Sequence, residues 1–393
     1  MTDPVKKGLL VRHNRRTMRT VIIMGIADTY SRGRQVAIER PGVLLVALVV
    51  VVLVVDLARQ LGTGDVRVHD IGSLVWDGLM RGLVIGLAGI GLSMTYSILN
   101  FANFSHGDLI TAGAFAGMST SYFLAGIGRA NADIGSLLLV GAGGSVFGGA
   151  LGIGVTGTPL AIVAGLVVAG VFTVLLALGI DQFIYKPIRN ESGIALLITS
   201  IGVAFALRYV MQFVFGSDVR GTTAQPPQVG AYLWDGPVFI SAHDIALLVV
   251  AGGLMLGVHV LLQTTKLGKA MRAMADNEDL ARITGIPTER VIRATWIIGG
   301  GLTGVAGYMF VLWKGTLGFN DGWLLLLLIF AAVILGGIGS IYGAIAGGII
   351  IGLTASMSVI WIPSSFARAA AFFVMIVILL VKPKGLFAGR STA

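Results

Sequence analysis

TTKLGKAMRAMADNEDLARITGIPTERVIR, residues 264–293, is a dense polar island in an otherwise apolar chain, and its flanks decide the fold. On one side lies the run 245–262, on the other 294–313. Each is long and apolar enough to cross a bilayer as a helix, which takes about 20 residues. The island carries Lys266, Lys269, Arg272, Arg282, Arg290 and Arg293 against Asp276, Glu278, Asp279 and Glu289. A basic excess in a loop of this size assigns it to the cytoplasmic side. The island also has helical order. Leu267, Ala270, Met271, Met274 and Ala275 fall on one helical face. Asn277 is placed to cap a second short helix, with Glu278 and Asp279 in its first turn, where the helix dipole favours carboxylates. Gly285 suits the stop of that helix, and Pro287 and Thr288 mark the start of the next. Pattern alone leaves two readings open, a docking surface and a solvated connector.

Composition carries the same conclusion through the whole chain. Of 393 residues, 55% are hydrophobic and only 12% charged, and the mean hydropathy is +0.89. A soluble domain is about 25% charged. Continuous apolar runs, rather than alternating ones, exclude a β-barrel. The remaining class is an all-α, polytopic transmembrane bundle, because only helices and closed barrels satisfy their backbone in lipid. Glycine is abundant at 57 residues, which suits close helix approach. The absence of cysteine removes disulfides, thiolate metal sites and cysteine catalysis. The net charge of +9 reads as positive-inside topology. No basic stripe with interleaved aromatics points to nucleic acid.

Outward from the island, residues 1–41 are polar and basic and fit a cytoplasmic tail held near anionic membrane lipid. A secretory signal with 42–55 as its apolar core is the rival; the long basic lead and the lack of a small-x-small cleavage site argue against it. The spans predicted are 42–57, 82–99, 109–127, 160–180, 194–215, 245–262, 294–313, 324–338, 341–361 and 366–381, with 58–81 a polar connector. Basic flanks place both termini in the cytoplasm, so the number of spans is even, about 8–10. The glycine-rich piece 134–155 breaks that parity if it spans. It is then re-entrant or external, unless a short run such as 324–338 fails to cross. Residues 181–192 are basic and assigned inside. Residues 216–243 and 314–323 are assigned outside. Gly82 and Gly86, and Gly339, Gly343 and Gly347, are spaced four apart as close-contact ridges. The chain thus divides into the tail 1–41, a membrane domain 42–388 containing the island, and a short C-terminal tail 389–393.

Few residues offer chemistry. Between the second and third spans lies NFANFSHGD, residues 100–108, without lysine or arginine. His106 and Asp108 suggest a base with its orienter, a metal site or a proton relay. No second histidine or nucleophile accompanies them, so polar residues capping a break between half-helices is the better reading. Breaks of this kind lie at the binding sites of many transporters. Arg208 lies inside an apolar run, within two turns of its end, and is expected to snorkel to the external face. No Gly-rich phosphate loop with a following lysine appears, so the chain has no visible means of binding ATP.

Three stretches together resemble a known family: YSILNFANFSHGDLITAG at 96–113, GKAMRAMA at 268–275 running on through TGI at 284–286 to Gly307, and AAVILGGIGSIYGAIAGG at 331–348. YKPIR at 185–189 fits as well. The chain resembles the membrane permease subunit of branched-chain amino acid ABC importers over roughly 80–128 and 160–388. The first 75 residues and 129–158 depart from the pattern. The resemblance implies a permease that moves amino acids across the cell membrane by alternating access, without enzymatic activity or cofactor of its own. It implies two ABC ATPase subunits, a second homologous permease and an extracytoplasmic substrate-binding protein as partners. Met274, Glu278, Leu280, Ile283, Gly285 and Ile286 would then form the coupling loop on an ATPase. Tyr96, Asn103, Ser105, His106 and Asp108 would line or brace the pathway. The rivals are a urea or short-amide permease of the same family and an ion-coupled secondary transporter; the latter is expected to hold ionisable residues deep in several spans, and here they are scarce.

Overall fold

The computed structural model describes residues 41–127 and 151–387. The expectations for the basic tail before Pro41, for most of 134–155 and for the tail 389–393 lie outside the described residues. The chain forms two compact units, Met1–Asp65 and Val66–Ala393. In the first, helix α1 (Pro41–Thr63) covers the first predicted span and continues past it.

The second unit is a helical bundle. Its elements are α2 (Val68–Leu99), α3 (Ser105–Gly126), α4 (Pro159–Ile180), α5 (Gly193–Phe215), α6 (Ala242–Thr264), α7 (Lys266–Asp276), α8 (Glu278–Ile283), α9 (Thr288–Lys314), α10 (Asp321–Gly336), α11 (Ile341–Met357) and α12 (Ala367–Val381). Among the described residues seven helices are long and apolar enough to cross a membrane, so this is a multi-pass membrane protein. Helix α10, the short run singled out from sequence, has only 16 residues. That is roughly 24 Å at 1.5 Å per residue, short of a ~30 Å hydrocarbon core.

Residues 68–81 are not a connector: they are the first turns of α2. Their polar side chains disguise the helix in a hydropathy reading, but several groups of this segment find distant partners. The Asp235 carboxylate accepts the N–H groups of Val68 and His69 at 2.8 and 2.9 Å. Trp76 Nε1 donates to Asp244 at 3.2 Å, and Ser356 Oγ donates to Asp77 at 2.6 Å. Partial desolvation pushes the Asp235 carboxyl up, but these amide donors and the His69 ring outweigh it, so it sits below the usual carboxylate range.

Glycine lines the contact of α2 against α11. A Cβ on Gly352 would fall 2.4 Å from the Gly78 carbonyl oxygen, and one on Gly348 would fall 2.6 Å from the Gly86 nitrogen. Backbones this close leave no room for a side chain. The opposite face of α11 packs on α10, where a Cβ on Gly347 would lie 2.0 Å from the Ala332 carbonyl oxygen. Gly86 and Gly347, two members of the predicted ridges, are therefore contact residues on different helix pairs.

The bundle has two distinct ends. At one, strand β1 (Arg220–Gly221) pairs antiparallel with β4 (Thr316–Leu317), and a hairpin of β2 (Gln228–Leu233) and β3 (Gly236–Ser241) stands over the start of α2. We call this the hairpin end. At the other, the island end, Arg189 joins Glu289 at 2.8 Å and Asp181 at 2.8 Å. The two segments assigned outside by charge thus share one end, and 181–192 shares the other with the island. The sidedness of these ends is checked by labelling. Tyr232→Cys and Ile283→Cys in this cysteine-free chain put thiols at positions that are 85% and 80% exposed. An impermeant maleimide added to intact cells is expected to label position 232 and not 283. The reverse pattern would invert the scheme.

Candidate functional site

Helix α2 ends at Leu99 because Asn100 turns left-handed, φ 54°, a conformation Asn tolerates better than most residues, while its N–H still reaches the Tyr96 carbonyl at 2.9 Å. Five residues later α3 begins within the bundle. Its opening side chains Ser105, His106 and Asp108 are all buried. A chain break at this depth needs its backbone groups satisfied internally. Ser200 on α5 does part of this by accepting the Phe104 N–H at 3.0 Å. Asn103 does the rest: its Oδ1 accepts the Ser105 N–H at 3.1 Å, the Ser105 hydroxyl at 2.7 Å and the Tyr185 hydroxyl at 3.2 Å.

Tyr185 comes from a π-helical turn, Asp181–Tyr185, that continues α4. Its ring stacks on Trp296 of α9, with centroids 5.6 Å apart, and tilts against Phe101 at 5.3 Å. Sequence reading quoted Tyr185 only as part of the YKPIR junction, without a site role, and passed over Trp296. A π-turn is often found at functional positions, but no sequence signal marks this one. Two buried donors here, Asn103 Nδ2 and Trp296 Nε1, have no hydrogen-bond partner among the described residues. Buried donors are nearly always paired, so these two are unusual.

His106 and Asp108 do not pair with each other. The His106 Nε2 lies 3.0 Å from the Ala88 carbonyl, an acceptor only, so that nitrogen carries the proton. Its Nδ1 stands 3.5 Å from the Thr303 hydroxyl. No group of three or more His, Cys, Asp or Glu among the described residues is arranged to hold a metal ion. His106 thus ties α3 to α2. Replacing it with glutamine, which keeps donor and acceptor, is expected to retain much of the transport. Leucine should lose about 0.5–1.5 kcal/mol with the tie to the Ala88 carbonyl, which keeps only its intrahelical amide. A well-folded but inactive glutamine variant with an altered pH profile would return a titrating role.

Asp108 pairs instead with Arg208, and the expectation that Arg208 snorkels outward is corrected here. Arg208 Nε and Nη2 donate to the two carboxylate oxygens at 3.0 and 2.9 Å, with side-chain exposures of 9% and 0%. The guanidinium also lies 4.4 Å from the Trp323 ring centroid and 5.2 Å from that of Phe205. A planar fork facing a carboxylate, with aromatic faces beside it, holds the charge inward. The signal for this pair was a lone acid closing the polar stretch 100–108 and a lone base inside an apolar run. Tyr96, by contrast, contributes its backbone carbonyl to the Asn100 turn and is only half-buried.

At the island end the polar loop folds as two helices. Thr265 caps α7 through the Gly268 N–H at 3.0 Å, and Asn277 caps α8 through the Leu280 N–H at 2.8 Å. Gly285, φ 85°, closes α8, with the Ile286 N–H reaching back to the Ala281 carbonyl at 3.0 Å. The two helices differ in what they expose. Met274 is buried and anchors α7, whereas Leu280 and Ile283 on α8 are 55% and 80% exposed. Glu278 pairs with Arg282 at 3.0 Å, and Ile286 packs partly under the bundle. Arg272 Nη1 donates to the Leu262 carbonyl at 2.8 Å, and a Cβ on Gly268 would lie 2.3 Å from the same oxygen. The loop is therefore joined stiffly to the end of α6.

Comparison with known proteins places this architecture. Residues 74–381 match the family model described as branched-chain amino acid transport system / permease component. The chain is 27% identical over 314 residues to the high-affinity branched-chain amino acid transport system permease protein LivH of Escherichia coli K12, covering 79% of this chain and 94% of that one. It is 26% identical over 321 residues to the similarly titled BraD of Pseudomonas aeruginosa, covering 81% and 95%. A probable branched-chain amino acid transport permease protein of Methanocaldococcus jannaschii is 26% identical over 322 residues, covering 80% and 90%. No solved structure matches the chain.

Proposed function

The chain belongs to the family of branched-chain amino acid transport system permease components, and from that premise we propose that it is the permease subunit of an ABC importer in the cell membrane. Its solute is a branched-chain or related amino acid. Separate ATPase subunits supply the energy, a second permease completes the pathway, and an external binding protein delivers the solute. The observation that best supports a pathway through this chain is the buried break at 100–104. It brings a helix N-terminus, unmet donors on Asn103 and Trp296, and the side chains of Ser105 and Tyr185 into the middle of the bundle. Donors held there without an acceptor suit passage of a solute carboxylate, which the helix N-terminus also favours. Asn103, Ser105, His106 and Asp108 brace this region, and the island acts as the coupling loop.

The test is co-expression of the full chain with its genomic neighbours. Two ATPase polypeptides and a second permease are expected to co-purify, and reconstituted vesicles supplied with binding protein should take up leucine, isoleucine or valine with ATP. Uptake of urea or short amides alone would move the substrate to that class. Uptake without ATPase subunits, driven by an ion gradient, would overturn the reading.

A further inference from the structure

At the hairpin end a cleft of about 520 Å³ opens between α2, the last turn of α9, the first turns of α10 and the turn leading into α12. Its size falls in the roughly 300–1,000 Å³ range of small-ligand sites. It is separate from the break at 100–104. Leu324, Leu325 and Leu328 of α10 line it, whereas Gly322 of the same helix faces Gly107 and Trp323 faces Arg208. Helix α10 is therefore the wall between the two.

The charges in this cleft are unevenly satisfied. Asp321 is fully used: Oδ1 takes Lys314 Nζ at 2.8 Å and Oδ2 takes the Gly318 N–H at 2.9 Å. Asp77 is not. Its Oδ2 accepts Ser356 at 2.6 Å and stands 3.5 Å from Arg81, while Oδ1 has no partner among the described residues. Arg81 and Lys314 are steadied by ring faces, 5.9 Å from the Trp313 centroid and 5.6 Å from that of Phe310. Arg368, which also lines the cleft, has no ion pair, hydrogen bond or ring contact among the described residues. One cation and one carboxylate oxygen are thus left open on the walls of a cleft with an apolar side.

We infer that this cleft is a binding site for a small zwitterion with an aliphatic side chain. The carboxylate sits on Arg368, the ammonium at Asp77 Oδ1 and the side chain against the α10 leucines. This deepens the permease reading and rests on it, placing a solute-receiving site at the hairpin end ahead of the buried break.

Binding is measured by equilibrium dialysis of radiolabelled L-leucine against the full-length chain purified in detergent. Leucine is expected to bind. Isoamylamine, lacking the carboxylate, and 4-methylpentanoate, lacking the ammonium, should compete at least about tenfold less well. Arg368→Gln should weaken leucine roughly tenfold to a hundredfold, and Asp77→Asn should restore competition by 4-methylpentanoate relative to leucine. Arg368→Lys, which keeps the charge, should fall between. Arg368 is exposed and unpartnered, so its variants should elute as the parent does on gel filtration. Leucine affinity unchanged in Arg368→Gln would overturn the inference. So would loss of leucine binding on adding phosphatidylethanolamine, which would identify the occupant as a lipid headgroup. ATP-driven uptake by the assembled parent transporter separates the two readings. Import without leucine binding to this chain sinks the cleft alone, and leucine binding without import by any assembly sinks the permease reading.

Discussion

Asp108→Asn is expected to lose most of the folded protein. The substitution keeps the shape of the side chain and removes only its charge, leaving the Arg208 guanidinium buried without its counter-ion. Breaking one partner of a buried ion pair costs about 3–5 kcal/mol, a large share of the stability of any domain. Arg208→Gln should cost as much, from the other side. The double change Asp108→Leu with Arg208→Met should recover much of the loss, because an apolar pair of similar volume is often neutral in place of a buried ion pair. The readout is the monodisperse fraction and melting temperature of a fluorescently tagged chain in detergent. A single variant as stable as the parent would show that the pair carries no net energy. Uptake by the double variant asks a further question. Normal uptake makes the pair a brace between α3 and α5, whereas a folded double variant without uptake makes it a part that moves.

Replacing Leu280 and Ile283 together by serine is expected to abolish uptake while leaving the chain inserted. Both side chains are exposed on α8, at 55% and 80%, so their loss removes little packing within the bundle. If the island is the coupling surface, they are its apolar anchors. Two such anchors are worth about 2–4 kcal/mol at an interface, or roughly 30- to 1,000-fold in ATPase affinity. Met274→Ser serves as the contrast. Met274 is buried against the bundle, so that change should lower stability before it lowers docking. Gly285→Val should weaken docking by a third route. Its φ of 85° is strained for any residue with a Cβ, at about 1–2 kcal/mol, and the strain displaces the end of α8. ATPase co-purification, uptake in reconstituted vesicles and melting temperature together separate these effects. Normal uptake in the double serine variant would make the island an ordinary connector.

Much of this protein was legible in its sequence, and the legible features are local. An apolar run long enough to cross lipid must be helical, whatever surrounds it, so the fold class followed from the runs alone. The form of the island did too. A cap joins Asn277 to the amide three residues on, and a helix stop needs one left-handed residue at Gly285; both are settled within a single turn of chain. The break after Leu99 showed as a polar stretch for the same reason, since a chain that leaves the helix inside a bundle must bring its own hydrogen-bonding groups.

The tertiary structure alone decided the rest. The first turns of α2 read as a connector because His69, Asp70, Asp77 and Arg81 are polar. They are held as helix because Asp235, 166 and 167 residues away from the amides it accepts, caps them and Ser356 meets Asp77. Arg208 faced two physical choices, water at the membrane surface or a buried partner. The choice fell to Asp108, 100 residues earlier in sequence, because α3 and α5 pack side by side. Tyr185 and Trp296 reach the break only through the packing of α4, α3 and α9. Sequence thus determined that the apolar runs are helices and where the chain turns at Asn100 and Gly285, as these depend on neighbours along the chain. It could not determine which polar groups are paired in the membrane, because that depends on which helices stand side by side.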